Sequence, residues 1–116
     1  MKTLLKLEEL AQLAACTATL VMHDVHWWAY LLLAVGPDIG MFGYLVGPRT
    51  GAFTYNLFHH KGLALLVAGM GAAGWAAGAL VPGIILYGHA CLDRALGFGL
   101  KHEDDFRHTH LGWVGK

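Results

Sequence analysis

The chain has 116 residues, of which 56% are hydrophobic and only 14% are charged. Soluble domains carry about 25% charged residues, so this composition indicates a membrane protein. The acidic and basic residues cancel to a net charge of zero. This argues against nucleic-acid binding, because contact with phosphates needs a basic excess. Serine is absent from the sequence, which excludes a serine nucleophile.

Four stretches are long and apolar enough to span a bilayer, which takes about 20 residues. They run from about residue 4 to 22, 27 to 46, 52 to 70 and 75 to 96, with polar or glycine-rich turns between them. The sequence therefore predicts an all-α fold. We expect residues 1–116 to form a single transmembrane domain of four helices that ends in a short polar cytoplasmic tail, residues 97–116.

Basic residues predict the orientation of this bundle, because positive charge favours the cytoplasmic side of a membrane. With four spans, all but one of the basic residues fall on the same side of the membrane: Lys2, Lys6, Arg49, Arg94, Lys101, Arg107 and Lys116. The exception, Lys61, lies inside the third span. We therefore expect both termini in the cytoplasm and a location in the bacterial inner membrane.

Polar residues inside the predicted spans are the candidates for function, because an ionisable group there costs about 2.5–3.5 kcal/mol. A rise of about 1.5 Å per residue places Asp38 roughly 12–16 Å from the Arg49 turn, and His59 at a similar depth. His89 and Asp93 are four residues apart and share a helix face. These positions predict a polar cavity that is open to the cytoplasm.

The residue types in this cavity suit a membrane-embedded enzyme. Asp38, His59, His89 and Asp93 offer oxygen and nitrogen ligands for a divalent metal such as zinc. Such a metal lowers the pKa of bound water to about 7, and without metal a His–Asp pair can act as a general base. The expected substrate is a lipid or another amphiphile. The candidate substrate-binding residues are Arg49, Asn56, Arg94, Lys101 and His110.

Other interpretations stay open at this stage. Glu8, the ionisable residue singled out in the first span, also fits an interfacial group near Lys6. Arg94 fits an anchor at the membrane surface with Asp93 as its ion-pair partner. An oligomeric carrier of a small ion or metabolite is one alternative function, and a structural, partner-binding protein is another. Glycine pairs spaced four apart are more typical of packing inside the bundle but also permit a homo-oligomer. These pairs are Gly36/Gly40, Gly43/Gly47 and Gly74/Gly78.

Several motifs follow one another in a fixed order along nearly the whole chain. They are Leu7-Glu8, Pro37-Asp38, Gly47-Pro48-Arg49, Tyr55-Asn56 with His59, His89 with Asp93-Arg94, and Thr109-His110-Leu111-Gly112. In this order they resemble a family of small multi-pass bacterial membrane proteins known as domain of unknown function 4260. Glu9 departs from the small residue expected at its position. The resemblance implies a membrane protein in contact with lipids, favours His59 over His60 and His110 over His108, and supplies no reaction.

Overall fold

The computed structural model describes residues 1–114, and these residues are mostly helical. The helices are α1 (Lys2–Met22), α2 (Trp28–Val35), α3 (Pro48–His59), α4 (Lys61–Ala72) and α5 (Leu80–Ala95). A 3₁₀ helix, Gly36–Leu45, continues directly from α2. In the tail, β1 (His108–Thr109) pairs with β2 (Gly112–Trp113) in an antiparallel hairpin. The all-α prediction is confirmed, and the hairpin is an addition that the sequence did not predict.

Helix α5 lies at the centre of the bundle and packs against the other four α helices, while the 3₁₀ helix packs on α3. Glycine permits the closest of these approaches. A Cβ atom on Gly83 of α5 would lie 2.3 Å from the backbone nitrogen of Ala68 in α4. The small buried core between α1, α2 and α5 contains Leu20, Ala29, Leu33 and Ile85.

One helical stretch among residues 1–114 is long and apolar enough to cross a membrane. It is Trp28–Leu45, which joins α2 to the 3₁₀ helix and has a mean hydropathy of 1.2. Helix α4 is apolar but shorter. Membrane character is therefore only weakly indicated by the helices themselves, and four crossings are not established by length and composition.

Two of the predicted spans differ from the observed helices. The third is interrupted at His60, whose extended backbone (φ −86°, ψ 113°) ends α3 and whose side chain accepts a hydrogen bond from the Leu63 amide. The imidazole thus acts as an N-cap of α4. The fourth begins at Leu80 rather than at residue 75, because Gly74 and Gly78 adopt positive φ values of 80° and 77° in the preceding turn.

The glycine pairs mainly permit close packing within a single chain. A Cβ atom on Gly40 or Gly43 would approach Thr54 of α3 to 2.7 Å or closer, so both glycines lie directly against that helix. Gly74 and Gly78 shape a turn instead of a helix face. The homo-oligomer stays a prediction.

Candidate metal centre

Four polar side chains from three helices converge at one point. Asp38 comes from the 3₁₀ helix, His59 ends α3, and His89 and Asp93 lie one turn apart on α5. One ligand atom from each lies within 4.8 Å of the others. Both histidines are buried, and the Asp93 side chain is 14% exposed, whereas that of Asp38 is 41% exposed. The cluster is therefore most accessible at Asp38.

Backbone carbonyls fix the orientation of both imidazoles. His89 Nδ1 lies 2.8 Å from the Leu33 carbonyl oxygen, and His59 Nδ1 lies 2.7 Å from that of Tyr55. Because a carbonyl oxygen can only accept, each Nδ1 carries the hydrogen and donates it. In the neutral ring this leaves Nε2 as an acceptor. The two Nε2 atoms face each other at 3.0 Å.

Pro37 explains why the Leu33 carbonyl is free to bind His89. In an α helix this carbonyl would accept a hydrogen bond from the amide four residues later, and residue 37 is a proline without an amide hydrogen. The same proline stands at the start of the 3₁₀ helix that carries Asp38. One residue thus provides an acceptor for His89 and places the adjacent carboxylate.

The separations between ligand atoms resemble the edges of a tetrahedron. Asp38 Oδ1 lies 3.1 Å from His89 Nε2 and 3.4 Å from His59 Nε2. Asp93 Oδ2 lies 3.1 Å from His59 Nε2, and its Oδ1 lies 3.6 Å from His89 Nε2. Zinc bonds of about 2.0–2.2 Å place tetrahedral ligand atoms about 3.3–3.6 Å apart. Asp93 approaches the two imidazoles through different oxygens, so a tetrahedral site requires rotation of that carboxylate; the spacing is otherwise compatible with such an ion, and two carboxylates balance its charge.

Tyr55 supports the cluster from outside. Its hydroxyl donates a 2.8 Å hydrogen bond to Asp93 Oδ2, and its ring stacks on the His59 ring with centroids 3.8 Å apart. Lys101, which is buried, places its ammonium 4.5 Å from the Tyr55 ring centroid and 3.8 Å from that of Phe106. Burial lowers the pKa of Lys101, while the negative charge of Asp93 acts in the opposite direction.

None of the predicted substrate-binding residues is among the four residues of this cluster. Asn56 holds the tail, since its Nδ2 donates to the Lys101 carbonyl at 2.8 Å and its Oδ1 accepts from the Lys101 amide at 2.6 Å. Arg49 is exposed and pairs with Glu103 at 3.1 Å. His110 Nδ1 accepts from the Leu100 amide at 2.8 Å, and burial, together with the positive charge of Arg94, lowers the pKa of His110.

A second polar cluster joins α1, α4 and α5. Lys61 forms an ion pair with Glu9 and donates to Gln12 Oε1 at 2.8 Å, an oxygen that also accepts from the Tyr87 hydroxyl at 2.6 Å. Glu8, the acidic residue singled out in the sequence, is exposed, and Glu9 is the one turned inward. A single lysine inside a predicted span was the available signal, since a buried charge needs a partner.

The comparison with family models gave one match, described as Domain of unknown function (DUF4260), over residues 2–114. No curated protein and no solved structure matches the chain. The matched range contains Asp38, His59, His89 and Asp93 as well as Tyr55, so the whole candidate metal centre lies within it.

Proposed function

The chain belongs to the DUF4260 family, whose function is unknown, and we propose that it is a metal-dependent hydrolytic enzyme of the membrane. A divalent metal such as zinc is held by His59, His89 and Asp93, and Asp38 lies beside it at the accessible side of the cluster. The observation that carries this proposal is the meeting of two Nε2 acceptors at 3.0 Å beside two carboxylates. Four acceptors around one point repel one another unless a cation or a shared proton lies between them, and two carboxylates beside two imidazoles suit a divalent cation.

The four residues of the cluster have different roles in this proposal. Catalytic zinc sites have three protein ligands and leave one position for water or substrate. His59, His89 and Asp93 are the three more buried groups, and Asp38 stands at the accessible side. A zinc ion held by these residues would lower the pKa of a water molecule to about 7 and so provide the nucleophile. Asp38 accepts the proton of the attacking water and later delivers it to the leaving group, while the Nδ1 hydrogen bonds keep both imidazoles directed inward.

The surface of the chain supports a membrane environment. Large apolar side chains are exposed on α1, α2, the 3₁₀ helix, α3 and α4, among them Leu45 at 84%, and also in the turns, as at Trp75 (81%) and Trp27 (69%). Exposed apolar patches of this extent mark contact with lipids or partners. We propose four crossings with both termini in the cytoplasm of a bacterial inner membrane. The third crossing is formed by α3 and α4 together, with the break at His60 capped by its own imidazole.

Metal analysis tests the binding site. The purified protein in detergent is loaded with zinc, freed of excess ion, and analysed by mass spectrometry for metal per chain. We expect one zinc ion in the parent protein and a loss of at least about 10-fold in affinity in His59→Ala and in His89→Ala. His60→Asn is the matched control, because it changes the neighbouring histidine and retains a capping oxygen. A parent protein without bound zinc, or an equal loss in His60→Asn, contradicts the proposal.

Asp38 separates the enzyme from a purely structural metal protein. We expect Asp38→Asn to retain zinc while losing the hydrolysis of 4-nitrophenyl esters or phosphodiesters that the parent shows with zinc. In a closed structural site all four ligands hold the metal. Release of zinc by Asp38→Asn as complete as that by His89→Ala would therefore favour the structural function, and so would a zinc-loaded parent that hydrolyses none of these probes.

A further inference from the structure

An apolar groove of about 580 Å³ lies between α2, the 3₁₀ helix, the end of α3 and α5. This volume falls within the range of about 300–1,000 Å³ that small-molecule sites occupy. Its walls include Ala29 and Leu32 of α2, Phe58 of α3, and Ile85 and Leu86 of α5. Among the described residues that line it, His26 alone is titratable. Such a groove suits a hydrocarbon chain rather than a polar ligand.

The groove leads to the metal centre along three separate elements. Gly36 and Pro37 line it, and Asp38 follows them directly in the chain; Phe58 lines it, and His59 is the next residue. Ile85 lines it one helical turn before His89. Asp38 and His59 thus directly follow groove-lining residues, and His89 follows one after a single helical turn.

The groove also runs along the axis of α2. Ala29, Leu32 and Gly36 recur at helical spacing, so they form one stripe along the axis of α2. Along α2, from Trp28 to Val35, the helical rise amounts to about 11 Å. The indole of Trp28 lines the end of the groove remote from the metal centre.

We propose that this groove binds the acyl chain of an amphiphilic substrate and places the polar end of that substrate at Asp38. The proposal rests on the proposed function, because it assigns the substrate class to the same metal centre. Burial of successive methylene groups supplies the binding free energy, and the end of the groove sets which bond reaches the cluster. The acyl chain therefore lies in one direction, with its methyl end toward Val25 and Trp28.

Photo-crosslinking tests both the occupant and its direction. The protein in phosphatidylcholine vesicles receives one of two fatty-acid probes, with a diazirine near the carboxylate or near the methyl end. We expect the first probe to label the segment around Pro37 and Phe58, and the second to label Val25 and Trp28. Labels spread over all helices according to membrane depth would overturn the proposal. So would groove-specific crosslinks to a second copy of the chain.

Two adjacent leucines of α2 provide a matched pair of variants. Leu32 lines the groove, whereas the neighbouring Leu31 is 56% exposed and is not among the groove-lining residues. Leu32→Trp should lower labelling in the groove several-fold, and Leu31→Trp should leave it unchanged; equal effects contradict the proposal. Zinc content is measured on the same samples. Retained zinc without groove labelling defeats this inference alone, and groove labelling without zinc in the parent defeats the proposed function.

Discussion

Tyr55 and Asp93 are joined by a 2.8 Å hydrogen bond in which the phenol donates to Oδ2, the carboxylate oxygen that also lies 3.1 Å from His59 Nε2. The same phenol ring stacks on His59 with an interplanar angle of 7°. One side chain from α3 thus orients two ligands on different helices. Partners of this kind, which bind the ligands rather than the metal, set ligand orientation and metal affinity.

Tyr55→Phe removes this hydrogen bond and retains the ring that stacks on His59. We expect zinc affinity to fall by about 10–100-fold, because Asp93 is then free to turn away from the cluster. Competition with a chelating dye measures the change. Tyr30→Phe, in α2, is the control and should leave the affinity unchanged. A Tyr55→Phe protein that binds zinc as tightly as the parent would show that Asp93 is held by packing alone.

The ion pair between Lys61 and Glu9 allows a second prediction. Both side chains are largely buried, with 15% and 17% exposed. Removing one partner of a buried pair costs about 3–5 kcal/mol, whereas replacing both by apolar residues is often neutral. We therefore expect Lys61→Met to lower the free energy of unfolding by that amount. The double variant Lys61→Met/Glu9→Met should recover most of the loss.

Unfolding by sodium dodecyl sulfate, followed by circular dichroism in detergent micelles, measures both variants. Lys6→Met is the control, because Lys6 is an exposed lysine of the same helix α1 as Glu9. If the double variant is as unstable as Lys61→Met, the loss comes from the remaining contacts of Lys61, such as its hydrogen bond to Gln12.

The four ligands of the candidate metal centre could be selected from the sequence, because charged residues inside apolar stretches are costly and rare. Helical spacing and depth then placed them near one another, and the structure brings Asp38, His59, His89 and Asp93 together. Tyr55 was named only within a motif. Its role depends on the packing of α3 against α5, which no local pattern encodes.

The break at His60 and the inward side chain of Glu9 were not predictable for related reasons. An imidazole that caps a helix leaves no glycine or proline as a signal, so residues 52–70 resembled one continuous span. Glu8 and Glu9 are adjacent and face different directions on α1. Which of them turns inward is decided by the position of Lys61 on α4, and therefore by the tertiary packing of both helices on α5.

Gly43 tests the contact between the 3₁₀ helix and α3. A Cβ atom there would lie 2.1 Å from Thr54 Oγ1 and 2.9 Å from the Thr50 carbonyl oxygen, which belongs to helical backbone and cannot easily move. We expect Gly43→Ala to lower the free energy of unfolding by about 1–3 kcal/mol. The same detergent unfolding experiment measures it.

Gly47→Ala is the matched control for Gly43→Ala. A Cβ atom on Gly47 meets no other atom within 4 Å. The φ of Gly47, 163°, is extended backbone that any residue adopts. We expect a change within about 0.5 kcal/mol. Equal losses in the two variants would mean that glycine at both positions serves backbone conformation rather than close packing.

His110 makes the attachment of the tail depend on pH. Burial lowers its pKa below the ordinary value of 6.5, and the charge of Arg94 acts in the same direction. The neutral ring accepts a 2.8 Å hydrogen bond from the Leu100 amide, and protonation of Nδ1 removes that acceptor. Because the pKa of His110 is lower in the folded protein than in the unfolded chain, the unfolded tail binds more protons than the folded tail at pH values near and below 6.5. The stabilisation is therefore present above this pH and is lost as pH falls through the folded pKa.

Hydrogen exchange of the Leu100 amide, expressed as a protection factor to remove the intrinsic effect of pH, measures this attachment. We expect protection to decrease between about pH 7.5 and pH 5 in the parent protein. His110→Asn supplies an amide oxygen in place of Nδ1 and does not titrate, so its protection should change little over the same range. A parallel decrease in His110→Asn would assign the pH dependence to other groups of the tail. The hydrogen-bonded pair Asp104–His108 would then be the first to examine, because this hydrogen bond lowers the pKa of Asp104.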